Sequence, residues 1–243
     1  MGLYHIFGNW TYILQVLAIV HFVRRRPNVF WLWIILIGGG LGALVYFLVE
    51  VLPDLILLKD SFQFLGRRQR IHALEDLVQQ NPAAGNYEEL ADLYLENKDY
   101  RRALECYNQA ISSRTDSLDP FYRRGVCEVE LGEFAHAIPD LERVVQKDPK
   151  YDFCRAQGLL AHAYARTGQP ERADGIFPKV LETSTMSETM YNYAQFLLAQ
   201  GRKAEAREWA QRILSKRAAM PGYLKRRERP WFRKAHGILK QAA

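Results

Sequence analysis

Apolar residues are distributed in two different ways along this chain. From Leu3 to Val23 there is no Lys, Arg, Asp or Glu, and from Val29 to Val49 there is none again; beyond Leu58 apolar positions recur at helical spacing among charged ones. About 20 apolar residues, each rising 1.5 Å along a helix, are enough to cross a hydrocarbon core. Only Arg24, Arg25, Arg26, Pro27 and Asn28 separate the two runs, so the pattern predicts a transmembrane helical hairpin over residues 1–54. The first run has no basic start and no small-x-small site after it, so it reads as a retained anchor and not a cleaved leader.

Within the second run, Gly38 and Gly42 have the small-xxx-small spacing that lets membrane helices approach closely. The expected use is packing on the first helix, with self-association as the alternative. Asn9, Gln15 and His21 interrupt the first run and need hydrogen-bond partners in lipid. Trp10, Tyr12, Trp31, Trp33 and Tyr46 fall near the span ends, where amphipathic rings are favoured. After Pro53 an apolar-faced stretch with a basic end suits the interface, and residues 67–82 read as a lone helix capping the polar part of the chain, giving a connecting region over 55–83.

The polar part echoes itself. Leu90–Ile111 aligns with Arg124–Val145 at a displacement of 34, matching Ala91 to Gly125, Tyr100 to Phe134, Ala103 to Ala137 and Tyr107 to Leu141. Leu160, Ala161, Tyr164, Gly168 and Ala173 form a third copy, and Tyr193, Ala194, Leu197, Gly201 and Ala206 a fourth. Small residues at fixed places mark where two antiparallel helices cross closely, and a fixed period marks a stacked repeat. Pro82 and Pro149 stand where a second helix would close, Glu128 replaces the usual aromatic, and Pro170 sits at a turn.

These residues resemble the tetratricopeptide repeat. With the hairpin before it, the resemblance implies an all-α fold: an α-solenoid of about four helix pairs over 84–217, closed by a basic C-terminal capping region over 218–243 in which Pro230 starts a last short helix. It also implies that partners bind along the inner groove. The matching positions are Glu88 and Asp92, Tyr122 and Val126, Arg155 and His162, and Tyr191 and Gln195. Family members that clamp a peptide carboxylate use Lys and Asn there. Glu88 and Asp92 would repel a carboxylate, so a basic or mixed apolar segment of a protein partner fits better.

Residues from Trp10 to Asp54 resemble the N-terminal two-helix region of cardiolipin synthases of the phospholipase D superfamily, through Arg24-Arg25-Arg26-Pro27, Trp31, Trp33 and Leu41-Gly42-Ala43-Leu44. That resemblance implies a bacterial inner membrane. It does not extend to catalysis, because no His in the chain has Lys two residues later, as phospholipase D chemistry requires.

Charge is sorted by segment. Residues 1–70 hold seven Lys/Arg against three Asp/Glu, residues 216–243 nine against one, and the middle carries the acid surplus within a total of +6. The basic end has three readings: contact with anionic headgroups, complement to the acidic repeats, or nucleic acid, for which no reading motif is present. Candidate lipid contacts are Arg24, Arg25, Arg26, Arg226, Arg227, Arg229, Arg233 and Lys234. Cys106, Cys127 and Cys154 are spaced without a metal or disulfide pattern, which leans towards a reducing compartment and places the repeats on the cytoplasmic side. No nucleophile elbow, phosphate loop or metal-ligand cluster appears, so no catalytic, cofactor or metal site is expected. The expected function is a membrane-anchored adaptor that recruits protein partners; the alternative is an accessory subunit of a membrane lipid or envelope-synthesis enzyme.

Overall fold

The computed structural model describes residues 3–25, 28–51, 59–112 and 117–242. Every regular element among them is helical, and the chain divides into a unit of residues 1–70 and a unit of residues 71–243.

In the first unit, α1 (Leu3–Arg25) is followed by α2 (Phe30–Ile37), α3 (Gly39–Tyr46) and a five-residue π-helical stretch, Phe47–Val51. The second apolar run is therefore not one continuous helix, as its hydropathy led us to expect. Gly39 adopts φ +53°, a left-handed conformation open to glycine, and the chain turns there. A Cβ on Gly42 would stand 1.9 Å from the Ile34 carbonyl oxygen, so α3 folds back directly onto α2. Gly40 meets the first helix instead, with its Cβ position 2.6 Å from Thr11 Cβ. No helix among the described residues is long and apolar enough to cross a membrane. A buried cluster of Ala18, Ile35, Ala43 and Tyr46 holds the unit together. Its polar groups find partners: Gln15 Nε2 donates to the Ile35 carbonyl at 3.0 Å, and His21 Nδ1 lies 2.8 Å from the Tyr46 hydroxyl. Arg26 and Pro27 of the connecting turn lie outside the described residues.

In the second unit, α4 (Lys59–Gln80) contributes its C-terminal half, where Ile71 and Leu74 are buried. Four helix pairs follow: α5 (Ala84–Glu96) with α6 (Tyr100–Ser112), α7 (Asp119–Leu131) with α8 (Phe134–Lys147), α9 (Arg155–Arg166) with α10 (Pro170–Thr183), and α11 (Ser187–Ala199) with α12 (Lys203–Ala219). Each helix packs on its chain neighbours, and α9 also touches α7 and α11, the stacking of first helices that builds a solenoid. The small residues do what their spacing implied. Ala91, Ala103, Ala137, Ala161, Ala173, Ala194 and Ala206 are all fully buried, and a Cβ on Gly125 would press to 3.1 Å from the Leu141 side chain. The turns within pairs repeat one left-handed residue, at Gly132 (φ 81°), Gly168 (74°) and Gly201 (75°), with Lys98 (61°) in the first pair.

The chain ends in α13 (Gly222–Gln241), one helix with Pro230 in its interior and not a short helix started by that proline. Pro230 is exposed, so water can take the Arg226 carbonyl that it leaves without a donor. Phe232, Ala235 and Ile238 close the core.

Candidate functional site

First helices line the inner face of the stack, and side chains from successive pairs meet there in one charged ladder. It begins on α6, where the Tyr107 hydroxyl donates to Asp92 Oδ1 at 2.5 Å. Arg123 NH1 reaches the same oxygen at 3.2 Å, and its Nε donates to Asp119 Oδ2 at 2.6 Å. Tyr151 then donates to Asp119 Oδ1 at 2.6 Å and stands edge-on to Tyr122, ring centroids 5.0 Å apart. Tyr122 donates to Asp152, and Arg155 NH1 donates to the Tyr122 hydroxyl at 3.2 Å. Arg155 ends the ladder on Glu188, with Nε to Oε2 at 2.6 Å and NH2 to Oε1 at 3.3 Å.

Local backbone makes this arrangement possible. Asp152, Phe153 and Cys154 take φ of 47°, 52° and 66°, three successive non-glycine residues in the left-handed region. Each costs about 1–2 kcal/mol against the right-handed form. The turn brings Asp152 to Tyr122 and leaves Phe153 86% exposed.

The ladder walls a cleft of about 420 Å³ lined by Leu95, Asp119, Tyr122, Arg123, Val126, Tyr151, Asp152 and Arg155. A second cleft, about 780 Å³, shares Asp152 and Arg155 and continues past Glu188 to Leu224, Arg227 and Trp231 of α13. Acids and bases balance along each cleft, and two further carboxylates, Glu88 and Asp92, lie beside Asp119 and Arg123 of the first. Burial raises the Glu88 carboxyl above its ordinary range, and Asp92 and Asp119 add to it. Burial raises Asp92 as well, against the hydrogen bond from Tyr107 and the charge of Arg123. Burial works against the charged Arg155, but the bonds and charge of Glu188 and Tyr122 hold its guanidinium above the ordinary value. Acid thus exceeds base at the open end, where Glu88, Asp92 and Asp119 face Arg123.

Of the positions expected in the groove, Asp92, Tyr122, Val126 and Arg155 come together, with Glu88 beside them. His162 is buried edge-on to Phe134 at 5.2 Å, and burial, followed by Arg166 and Lys234, lowers its pKa to about 4. Tyr191 lies beneath α13, 5.8 Å from the Trp231 ring, with Lys234 Nζ 5.1 Å from its own ring. Gln195 is exposed. Asp119, Arg123, Tyr151, Asp152 and Glu188 were not singled out in the sequence; two of them stand in the turn before α9, which helical periodicity does not register.

The basic candidates separate too. Arg227 lines the larger inner cleft and Lys234 sits 4.2 Å from the Trp231 ring, while Arg226, Arg229 and Arg233 line a different cleft. Arg24 is exposed; the side chain of Arg25 and all of Arg26 lie outside the described residues.

Stacked helix pairs with a concave face lined by first helices define a helical-repeat binding scaffold. Two tetratricopeptide repeat family models match the chain, over residues 90–165 and 159–222. Residues 90–222 thus carry tetratricopeptide repeats, a scaffold for protein interactions. The chain is 30% identical over 82 residues to human DnaJ homolog subfamily C member 3, covering 34% of this chain and 16% of that protein. It is 30% identical over 93 residues to small glutamine-rich tetratricopeptide repeat-containing protein 2 of Mycosarcoma maydis, covering 38% and 26%. The matches therefore span about a quarter or less of these relatives.

Among solved structures, MamA 41-end from Desulfovibrio magneticus RS-1 aligns with TM-score 0.58 and 16% identity, covering 68% of this chain and 94% of that one. YrrB, described as a protein with an unusual peptide-binding site, aligns at 0.53 and 20%, covering 64% and 79%. PilW, a type IV pilus biogenesis factor, aligns at 0.54 and 19%, covering 76% and 86%. At these identities the likeness is one of fold. The two family models begin at Leu90 and leave the cardiolipin synthase resemblance of the N-terminal residues without support.

Proposed function

We propose that this protein is a membrane-held adaptor: residues 1–54 attach it to a bacterial inner membrane, and its repeat groove binds a basic segment of a protein partner on the cytoplasmic side, with no chemistry of its own. One contrast carries the reading. Among the described residues, the large apolar side chains that stand exposed fall between Tyr12 and Val49 apart from Leu77 and Phe153, whereas in the repeat unit Glu88, Asp92 and Asp119 gather around Arg123 at the edge of the first cleft. An apolar surface of that extent needs a lipid or protein cover. The turn of the broken second run, at Gly38 and Gly39, lies at the surface of the unit, which suits insertion into one face of a bilayer with that turn at the polar interface.

Cell fractionation tests the anchor. The full chain is expected in carbonate-washed membranes, and a chain lacking residues 1–58 in the soluble fraction; a full chain that washes off overturns it. Sidedness is read at Cys154, which is half-buried and in reach of a thiol reagent, unlike buried Cys127. A membrane-impermeant reagent is expected to leave Cys154 unlabelled in intact cells.

A further inference from the structure

We propose that the outward face of α13 and the end of α12 form a binding cleft for the phosphate headgroups of anionic phospholipids. Arg217 of α12 and Lys225, Arg226, Arg229, Arg233 and His236 of α13 line a hollow of about 440 Å³. At about 100° per residue, positions 225, 226, 229, 233 and 236 fall within roughly one third of the helix circumference. No carboxylate lines the cleft. Glu228, the sole acid after Lys216 in the sequence, lines the larger inner cleft on the other side of the helix.

On the opposite side of α13, Lys234 lies over the Trp231 and Tyr191 rings, and Arg227 lines the larger cleft together with Glu130 and Glu188. The outward Lys225, Arg226, Arg229 and Arg233 have no carboxylate partner among the described residues. Like charges three and four residues apart repel on a helix, as Lys225 and Arg226 do with Arg229, and Arg229 with Arg233. A bound anion reverses that repulsion, and guanidinium groups match phosphate oxygens in pairs.

The form of the cleft selects among phosphates. A single strand of nucleic acid is held by a long basic track and by exposed rings on which bases stack. Here the charge is gathered in one hollow; of its two rings Phe232 is 5% exposed, which leaves the imidazole of His236 as a single exposed ring and no run of stacking platforms. A headgroup needs neither. The choice of lipid over free phosphate rests on the proposed membrane attachment, which places such headgroups beside the chain at high effective concentration.

The full chain is mixed with vesicles of phosphatidylcholine alone or with about 30% phosphatidylglycerol, reading cosedimentation and hydrogen exchange over residues 222–236. Slower exchange with phosphatidylglycerol, reduced about tenfold or more by Arg229→Gln with Arg233→Gln and unchanged by Arg227→Gln, is expected from the charge removed. Equal exchange with both vesicles overturns the cleft, whatever sediments. Binding to phosphatidylglycerol vesicles alone, with protection, upholds the cleft and overturns the apolar attachment. Equal protection by inorganic phosphate or by a single-stranded RNA, without vesicles, overturns the assignment to lipid.

Discussion

Arg155 of the third helix pair grips Glu188 of the fourth through two hydrogen bonds, of 2.6 and 3.3 Å, while a third of its donors holds the Tyr122 hydroxyl of the second pair. One guanidinium thus ties three repeats together at the floor of the groove. Both side chains are mostly buried, and removing one partner of such a pair leaves the other charge poorly solvated. Glu188→Ala is expected to lower stability by about 2 kcal/mol, a fall in Tm of roughly 4–8 °C for a unit of this size. Thermal unfolding of the detergent-solubilised chain measures it.

Lys98 occupies the left-handed turn position that glycine fills in the other three pairs. Lys98→Gly relieves about 1 kcal/mol of backbone strain and gives back part of it as unfolded-chain entropy. A net gain of about 0.5 kcal/mol is expected, visible as a higher midpoint in urea, whereas Gly132→Lys is expected to lose stability.

Glu128 lies where Tyr94 and Tyr164 stand in neighbouring repeats, 8% exposed and with Oε2 lacking a hydrogen-bond partner. Burial, then the nearby Asp140, pushes its pKa up to about 7. The folded state therefore holds this proton more tightly than the unfolded chain. The protonated form's contribution is present below about pH 4.5 and is lost as pH rises through 7. Glu128→Gln is expected to match the native chain near pH 4 and to exceed it by about 2 kcal/mol at pH 8. Urea midpoints across that range decide it; a constant difference would contradict the assignment.

Gly42 lets α3 lie on the Ile34 carbonyl, and any larger residue collides with that backbone oxygen. Gly42→Val is expected to open the fold between α2 and α3, raising protease cleavage within residues 29–51 while leaving the repeat unit's melting unchanged.

The repeat stack was legible because close helix crossings demand small side chains at a fixed period, and Ala91, Gly125, Ala161 and Ala194 supply them. The break in the second apolar run was not, since a sum over apolar residues is blind to Gly39 turning the chain. The groove was half legible. Asp92, Tyr122 and Arg155 lie on first helices at repeat positions, but Tyr151 and Asp152 reach the site through a left-handed turn without glycine, which no composition signal announces. Likewise Pro230 read as a helix start, although an exposed proline can ride inside α13 where water replaces the lost bond.

Whether the groove takes a basic segment is decided by fluorescence anisotropy of the full chain with labelled ten-residue peptides, matched in aromatic content and carrying either Lys/Arg or Asp/Glu. Glu88 is the residue to vary, because it adds charge beside the cleft, near Asp92 and Asp119, without bracing the ladder. Tighter binding of the basic peptide is expected, weakened by salt and about tenfold by Glu88→Lys. Preference for the acidic peptide, or basic-peptide binding indifferent to Glu88→Lys and to salt, would contradict a groove built for a basic segment.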